Sequence, residues 1–106
     1  MIKYTERVKI LSMNNNFSFL KSPGDINFEI AERMRSRRKE RRLTQQELSR
    51  KADVSMGSLK RFERTGEISL SSLIKIAFAL GCEADFDSLF AKKGYASIEE
   101  VINEQL

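Results

Sequence analysis

Cationic side chains dominate the part of this sequence that could do chemistry. From Arg33 to Arg64 the chain carries twelve Lys/Arg against four Asp/Glu, a local charge of +8, while the rest carries seven against eleven, −4, which together give the formal net charge of +4. A basic middle between acidic flanks points to a polyanion meeting one part of the surface. The run Arg33, Arg35, Arg37, Arg38, Arg41 and Arg42 covers all helical angles, so only part of it can face one partner and the rest is a solvated face. Within Ser55-Met56-Gly57-Ser58-Leu59-Lys60-Arg61-Phe62-Glu63-Arg64, small polar and basic residues alternate with apolar ones at helical spacing, the composition of a helix with one exposed cationic face.

Other chemistries find little support. There is no histidine, and the single cysteine, Cys82, lies in an apolar run and reads as a small core residue. One cysteine cannot build a zinc site, so neither metal nor cofactor is expected. No Gly-rich phosphate loop or isolated carboxylate pair suggests an enzyme, and Glu99-Glu100 after Ser97 reads as helix capping. No apolar run approaches the roughly 18 residues of a membrane span. Met1 to Ile10 mixes charged and apolar residues unlike a secretory leader. A lone cysteine fits a reducing compartment, so a cytoplasmic protein is expected.

The elements that would position the cationic residues are short helices. Ser22-Pro23-Gly24 marks a boundary. Asp25 or Asn27 is the expected cap of a first helix reaching about Arg42, with Ile30 and Met34 inward. Thr44 with Glu47 forms a capping box for a helix over Gln45–Ala52, and Asp53 breaks it. Ser55 caps the next helix, which runs to about Arg64 and ends at Gly66. Ser69 caps a helix to Leu80, with Leu70, Leu73, Ile74, Ala77 and Leu80 as its apolar stripe and Gly81 as its stop. Asp85 is the expected cap of a short helix through Phe90, with Phe86 and Phe90 packing under the preceding helix. Two apolar runs around Asn14-Asn15-Asn16 suggest an N-terminal β-hairpin, and Ser97 opens a terminal helix. The organisation expected is therefore an extension at 1–24, a helical domain at 25–91 and a helical tail at 92–106.

Two short helices separated by a tight break, with Leu48, Ala52, Val54, Leu59 and Phe62 inward and small Ser49 and Ala52 at the crossing, form a helix-turn-helix by spacing alone. The order Leu43-Thr44-Gln45-Gln46-Glu47-Leu48-Ser49, Val54-Ser55, Leu59, Phe62-Glu63-Arg64, Leu73-Ile74-Lys75-Ile76-Ala77 and Ala79-Leu80-Gly81 resembles the lambda-repressor-like, or Cro-type, helix-turn-helix regulators over roughly Ile30 to Phe90. The resemblance implies a mainly α, compact five-helix domain and a regulator, most simply a repressor, that binds a palindromic operator in double-stranded DNA as a homodimer. It places Ser55, Met56, Gly57, Lys60 and Arg61 toward base edges, with Arg61 suited to guanine and Met56 to a thymine methyl. Gln45, Ser58, Arg64 and Arg38 fall to the DNA backbone, and the charge of Lys60 suits a phosphate equally. Arg38 and Glu63 match a pair that forms a buried ion pair in some members. Thr44, Gln45, Ser55 and Ser58 also have the simpler reading of helix caps.

The pattern has three departures. Arg42 stands where glycine usually ends the first helix, so that helix is expected to end differently. Asp53 replaces a turn glycine, and Thr65 lengthens the loop after the third helix by one residue. The stretch Phe62-Glu63-Arg64-Thr65-Gly66-Glu67-Ile68 also resembles members that act as antitoxins of kinase-like toxins, so a toxin protein is a second candidate partner. Apolar Ile10, Phe17, Phe19, Val101 and Ile102 exceed what a five-helix core needs, which suggests the two ends of the chain as dimer surfaces.

Overall fold

Helix caps set the architecture of this chain, because each of its short helices must satisfy the backbone groups at its own ends. In a computed structural model, residues 20–94 are described. They form α1 (Pro23–Glu40), α2 (Gln45–Ala52), α3 (Met56–Thr65), α4 (Leu70–Leu80) and a 3-10 helix (Glu83–Ser88). Among the described residues there is no strand, and no helix is long and apolar enough to cross a membrane. The expected hairpin and terminal helix fall largely on residues 1–19 and 95–106, outside the described residues.

The first helix starts earlier than expected. Its cap is Ser22, not Asp25 or Asn27: the Ser22 hydroxyl accepts the Asp25 N–H at 3.1 Å, and the Asp25 carboxylate accepts the Ser22 N–H at 3.0 Å. Pro23 occupies the first helical position, where its missing N–H costs nothing and its fixed φ fits. What reads as a boundary is thus the start signal itself. At the other end Arg42 takes the left-handed conformation, φ 56°. Its N–H bonds to the Lys39 carbonyl at 2.9 Å, and the Leu43 N–H bonds to the Arg38 carbonyl at 3.1 Å. This is the Schellman arrangement a glycine would give. The expectation of a different ending is corrected: Leu43 packs against the core and its carbonyl accepts from Arg38 Nη1 at 2.9 Å, which holds the turn despite the side chain.

Helices α2 and α3 have their expected caps. Thr44 and Glu47 exchange hydrogen bonds at 3.0 Å each. The backbone N–H and then the hydroxyl of Thr44 hold the Glu47 carboxyl below its ordinary value, with Arg50 adding to the effect. Asp53 is left-handed at φ 55° and turns the chain toward α3. Ser49, buried at the crossing, donates its hydroxyl to the Val54 carbonyl and so ties the turn to α2. Gly66 ends α3 at φ 81° with its N–H on the Phe62 carbonyl at 2.8 Å, and a Cβ there would meet the Asn27 backbone carbon at 2.8 Å. Helix α4 begins at the Ser69 cap and stops at Gly81.

These ends let α1 pack on α3, and α2 on both α3 and α4. The core consists of Ala31, Met34, Leu48, Ala52, Val54, Leu59, Phe62, Ile76 and Leu80. Two expectations about packing are corrected. In α4 the inward stripe includes Ile76, whereas Leu70, in the first turn beyond the core, is 61% exposed. After α4 the chain forms a 3-10 turn with no side-chain cap rather than an α-helix capped by Asp85. Phe86 is half-buried, but Phe90, left-handed at φ 59°, is 94% exposed and does not pack under α4.

Three substitutions check this account by equilibrium urea unfolding. Arg42→Gly removes left-handed strain and stabilises by about 0.5–1 kcal/mol after the extra chain entropy of glycine is deducted. Gly66→Ala destabilises by more than about 1 kcal/mol, since strain and a backbone clash add. An equal or reversed ordering of the two contradicts the assignment. Because the Glu47 carboxyl is depressed in the folded state, its contribution is present at neutral pH and is lost as pH falls through the folded-state value. Glu47→Gln is therefore less stable than the parent at pH 7, and the two converge in acid.

Candidate nucleic-acid interface

One carboxylate organises the cationic region. Glu63, with a side chain 6% exposed, points from α3 toward α1. Its Oε1 lies 2.8 Å from Arg38 Nη2 and 3.7 Å from Arg35 Nε, and its Oε2 accepts from Gln45 Nε2 at 3.0 Å. Arg38, also buried, reaches the Leu43 carbonyl with its other terminal nitrogen. Side chains from α1 and α2 thus converge on Glu63 of α3, and the loop after α1 is tied in through Arg38. Such a pair fixes geometry more than it adds stability, but removing one partner strands a buried charge.

The face of α3 turned away from the buried Leu59 and Phe62 meets solvent. Gly57, Ser58, Lys60, Arg61 and Arg64 are exposed and Met56 is half-buried. No carboxylate stands in the first turn of α3 or of α4, whereas α1 has Asp25 and α2 has Glu47. The partial positive charge at the start of α3 is therefore not offset by an acidic side chain of its own first turn. A Cβ at Gly57 would meet nothing within 4 Å, so its backbone is open to close approach.

Not every candidate residue is equally available. Ser55 is the cap of α3: its hydroxyl accepts the Ser58 N–H at 3.1 Å and donates to Ser58 Oγ at 2.9 Å. Both of these hydroxyls already serve the helix start. Thr44 is likewise a cap, whereas Gln45 is engaged by Glu63. Arg38 is only 9% exposed and faces Glu63, so the cations open to solvent at that cleft are Arg35, Lys60 and Arg64, which line it with Thr44 and Gln45. Arg61 lies on another flank of α3 and pairs with Glu67 from the following loop.

Sequence reasoning missed two of these partners. Arg35 lies three residues before Arg38 and so on the same side of α1, a signal present in the spacing. Glu67 lies beyond the Gly66 turn, where no helical period applies.

Comparison with known families bears on the fold. A family model described as helix-turn-helix matches residues 34–86, from the middle of α1 through Phe86. No curated protein and no solved structure gives a significant match.

Chemical denaturation tests the role assigned to Glu63. Arg38→Met, which leaves that carboxylate buried without its closest cation, lowers stability by about 3–5 kcal/mol. Adding Glu63→Met restores part of the loss. A cost under about 1 kcal/mol for the single change, as for a surface pair, contradicts a buried hub.

Proposed function

From the premise that this chain belongs to the helix-turn-helix family and is, in that broad sense, a DNA-binding transcriptional regulator, we propose that it is a repressor that binds a palindromic operator as a dimer. The exposed face of α3 carries this reading: a cationic helix with an acid-free first turn, propped from behind by Glu63. A helix about 10–12 Å across fits a major groove about 12 Å wide, and its leading residues meet base edges there. Gly57 allows the backbone to come close, Met56 lies beside a thymine methyl, and Arg61 donates two parallel hydrogen bonds to guanine. Lys60, Arg64 and Arg35 neutralise phosphates, with Gln45 and Ser58 beside them. Arg38 contributes by holding Glu63.

A dimer places two such helices in successive grooves, about 34 Å apart. Phe90, 94% exposed after the 3-10 helix, supplies apolar surface for the partner protomer. As a repressor of its own operon the protein would work at the nucleoid.

A second reading is favoured by one observation. An apolar groove between α1, α4 and the 3-10 helix is lined by Ile30, Leu70, Leu73, Phe86 and Leu89 among others, and no residue of α3 takes part in it. A chain that reads DNA through α3 keeps that surface open to another protein, as an antitoxin binding a toxin would. The product of an adjacent toxin-like gene should then co-purify with the full chain and lose its toxicity. Failure of both removes this reading and leaves the first intact.

The main proposal is tested by gel shift with the protein's own promoter DNA, together with sedimentation of the complex. The expected result is a sequence-selective complex of two protomers whose affinity falls steeply with salt, with a log–log slope of about −0.9 for each phosphate neutralised. Arg61→Ala lowers discrimination at one base pair by about tenfold while retaining most non-specific affinity. No selective, salt-sensitive complex with the parent protein overturns the proposal.

A further inference from the structure

The loop between α3 and α4 is anchored at every residue. The Gly66 N–H bonds to the Phe62 carbonyl, and its backbone lies against Asn27. The Thr65 hydroxyl donates to the Arg61 carbonyl at 2.7 Å and accepts the Glu67 N–H at 3.2 Å. Ile68 packs on the core and Ser69 caps α4. Glu67 therefore projects from a fixed point, and its Oε2 accepts a hydrogen bond from Arg61 Nη2. Together with Ser58, Ile68, Ser69 and Ser72, the pair lines a cleft of about 380 Å³ along the flank of α3. The two side chains are 62% and 58% exposed, and a pair so open to water does little for folding.

We infer that Glu67 is a specificity-determining positioning residue, which aims the Arg61 guanidinium at a base and discourages its use on a phosphate. The inference rests on the reading of α3 as the DNA-reading helix. A guanidinium has five N–H donors in a rigid fork, and Glu67 engages one terminal nitrogen. Enough donors remain for the two parallel bonds that guanine O6 and N7 accept. An arginine on a cationic helix has two competing fates, since a phosphate attracts it at any sequence whereas guanine attracts it at one. Moving to a phosphate would strand the Glu67 carboxylate beside a polyanion. Staying on the base edge keeps the carboxylate paired. Glu67 thus lowers affinity for all DNA and lowers it least for the correct site, which is how a repulsive element produces specificity.

Selection of bound DNA from a random pool, followed by titration of the selected and a scrambled duplex, tests this with the full-length protein. Glu67→Gln keeps the shape and removes the charge. It should lower the preference for guanine at the base pair read by Arg61 by about tenfold, raise affinity for the scrambled duplex, and steepen the salt slope by about one phosphate. Glu67→Asp keeps the charge but shortens the reach, and should also lose guanine preference. In an Arg61→Ala background Glu67→Gln should leave base preference unchanged. Far-UV circular dichroism confirms that each variant is folded, as expected for an exposed position. Guanine preference within about twofold of the parent in Glu67→Gln, with tighter binding to both duplexes, would show that Glu67 is only a competing charge and overturn the inference. If the parent protein itself selects no sequence, the DNA-reading assignment of α3 falls, and this one with it.

Discussion

The Glu63 carboxylate is the constraint on which the rest of this structure depends. Few small domains place an ionised side chain where three helices meet, because desolvation there costs several kcal/mol unless hydrogen bonds replace the water. Here Arg38, Arg35 and Gln45 replace it, each from a known direction. An apolar contact would tolerate sliding of one helix along another. A charge with directional partners does not, so α3 has one favoured setting relative to α1 and α2. A reading helix needs such a setting, since a shift of about an ångström is enough to break a bidentate contact to a base edge.

The turns serve the same end by different means. The chain passes through the left-handed region at Arg42, Asp53, Gly66 and Gly81, once at the end of each α-helix. Two of these carry side chains that disfavour the conformation, and both stand in the connections that orient α2 and α3. Each is held by neighbours: at Arg42 by the Leu43 carbonyl bonded to Arg38, and at Asp53 by the Val54 carbonyl bonded to Ser49. Strain at the turns is thus held by the same groups that organise the core, and the motif keeps its shape without the glycines that usually permit it.

Much of this was legible in the residues. Polar caps and glycine stops are local signals, and Thr44, Ser55, Gly66, Ser69 and Gly81 mark the ends of α2, α3 and α4 where the structure puts them. The start of α1 was equally local but easily misread, because Ser22-Pro23-Gly24 serves both as loop punctuation and as a helix entry. Leu48, Ala52, Val54, Leu59 and Phe62 are buried as their spacing implies. In α4 the spacing is borne out at Ala77 and Leu80, which are buried, but not at Leu70, for a physical reason. Eight of the eleven side chains in Leu70–Leu80 are apolar, too many for periodicity to single out one inward stripe, and contact with α2 selects Ile76 over Leu70. The 3-10 turn after Cys82 and the approach of Glu67 to Arg61 depend on tertiary placement and have no local signature.

The charge of the basic segment also needs to be read through its partners. Arg35 and Arg38 face Glu63, Arg37 pairs with Glu40, and Arg61 pairs with Glu67. The pairs with Glu40 and Glu63 are already deducted from the net +8, so of these only the Glu67 pairing further lowers the charge free to neutralise phosphate. Of these cations Arg38 is buried and serves the frame, whereas Arg61 is exposed and has donors left for a base while it stays paired with Glu67. Lys60 and Arg64 on α3, with the half-exposed Arg35 on α1, remain for the backbone. Burial thus divides the arginines by task, and a partition of this kind lets one short helix combine a strong electrostatic field with selective contacts: the field draws any duplex close, and the few directed donors decide where it stays.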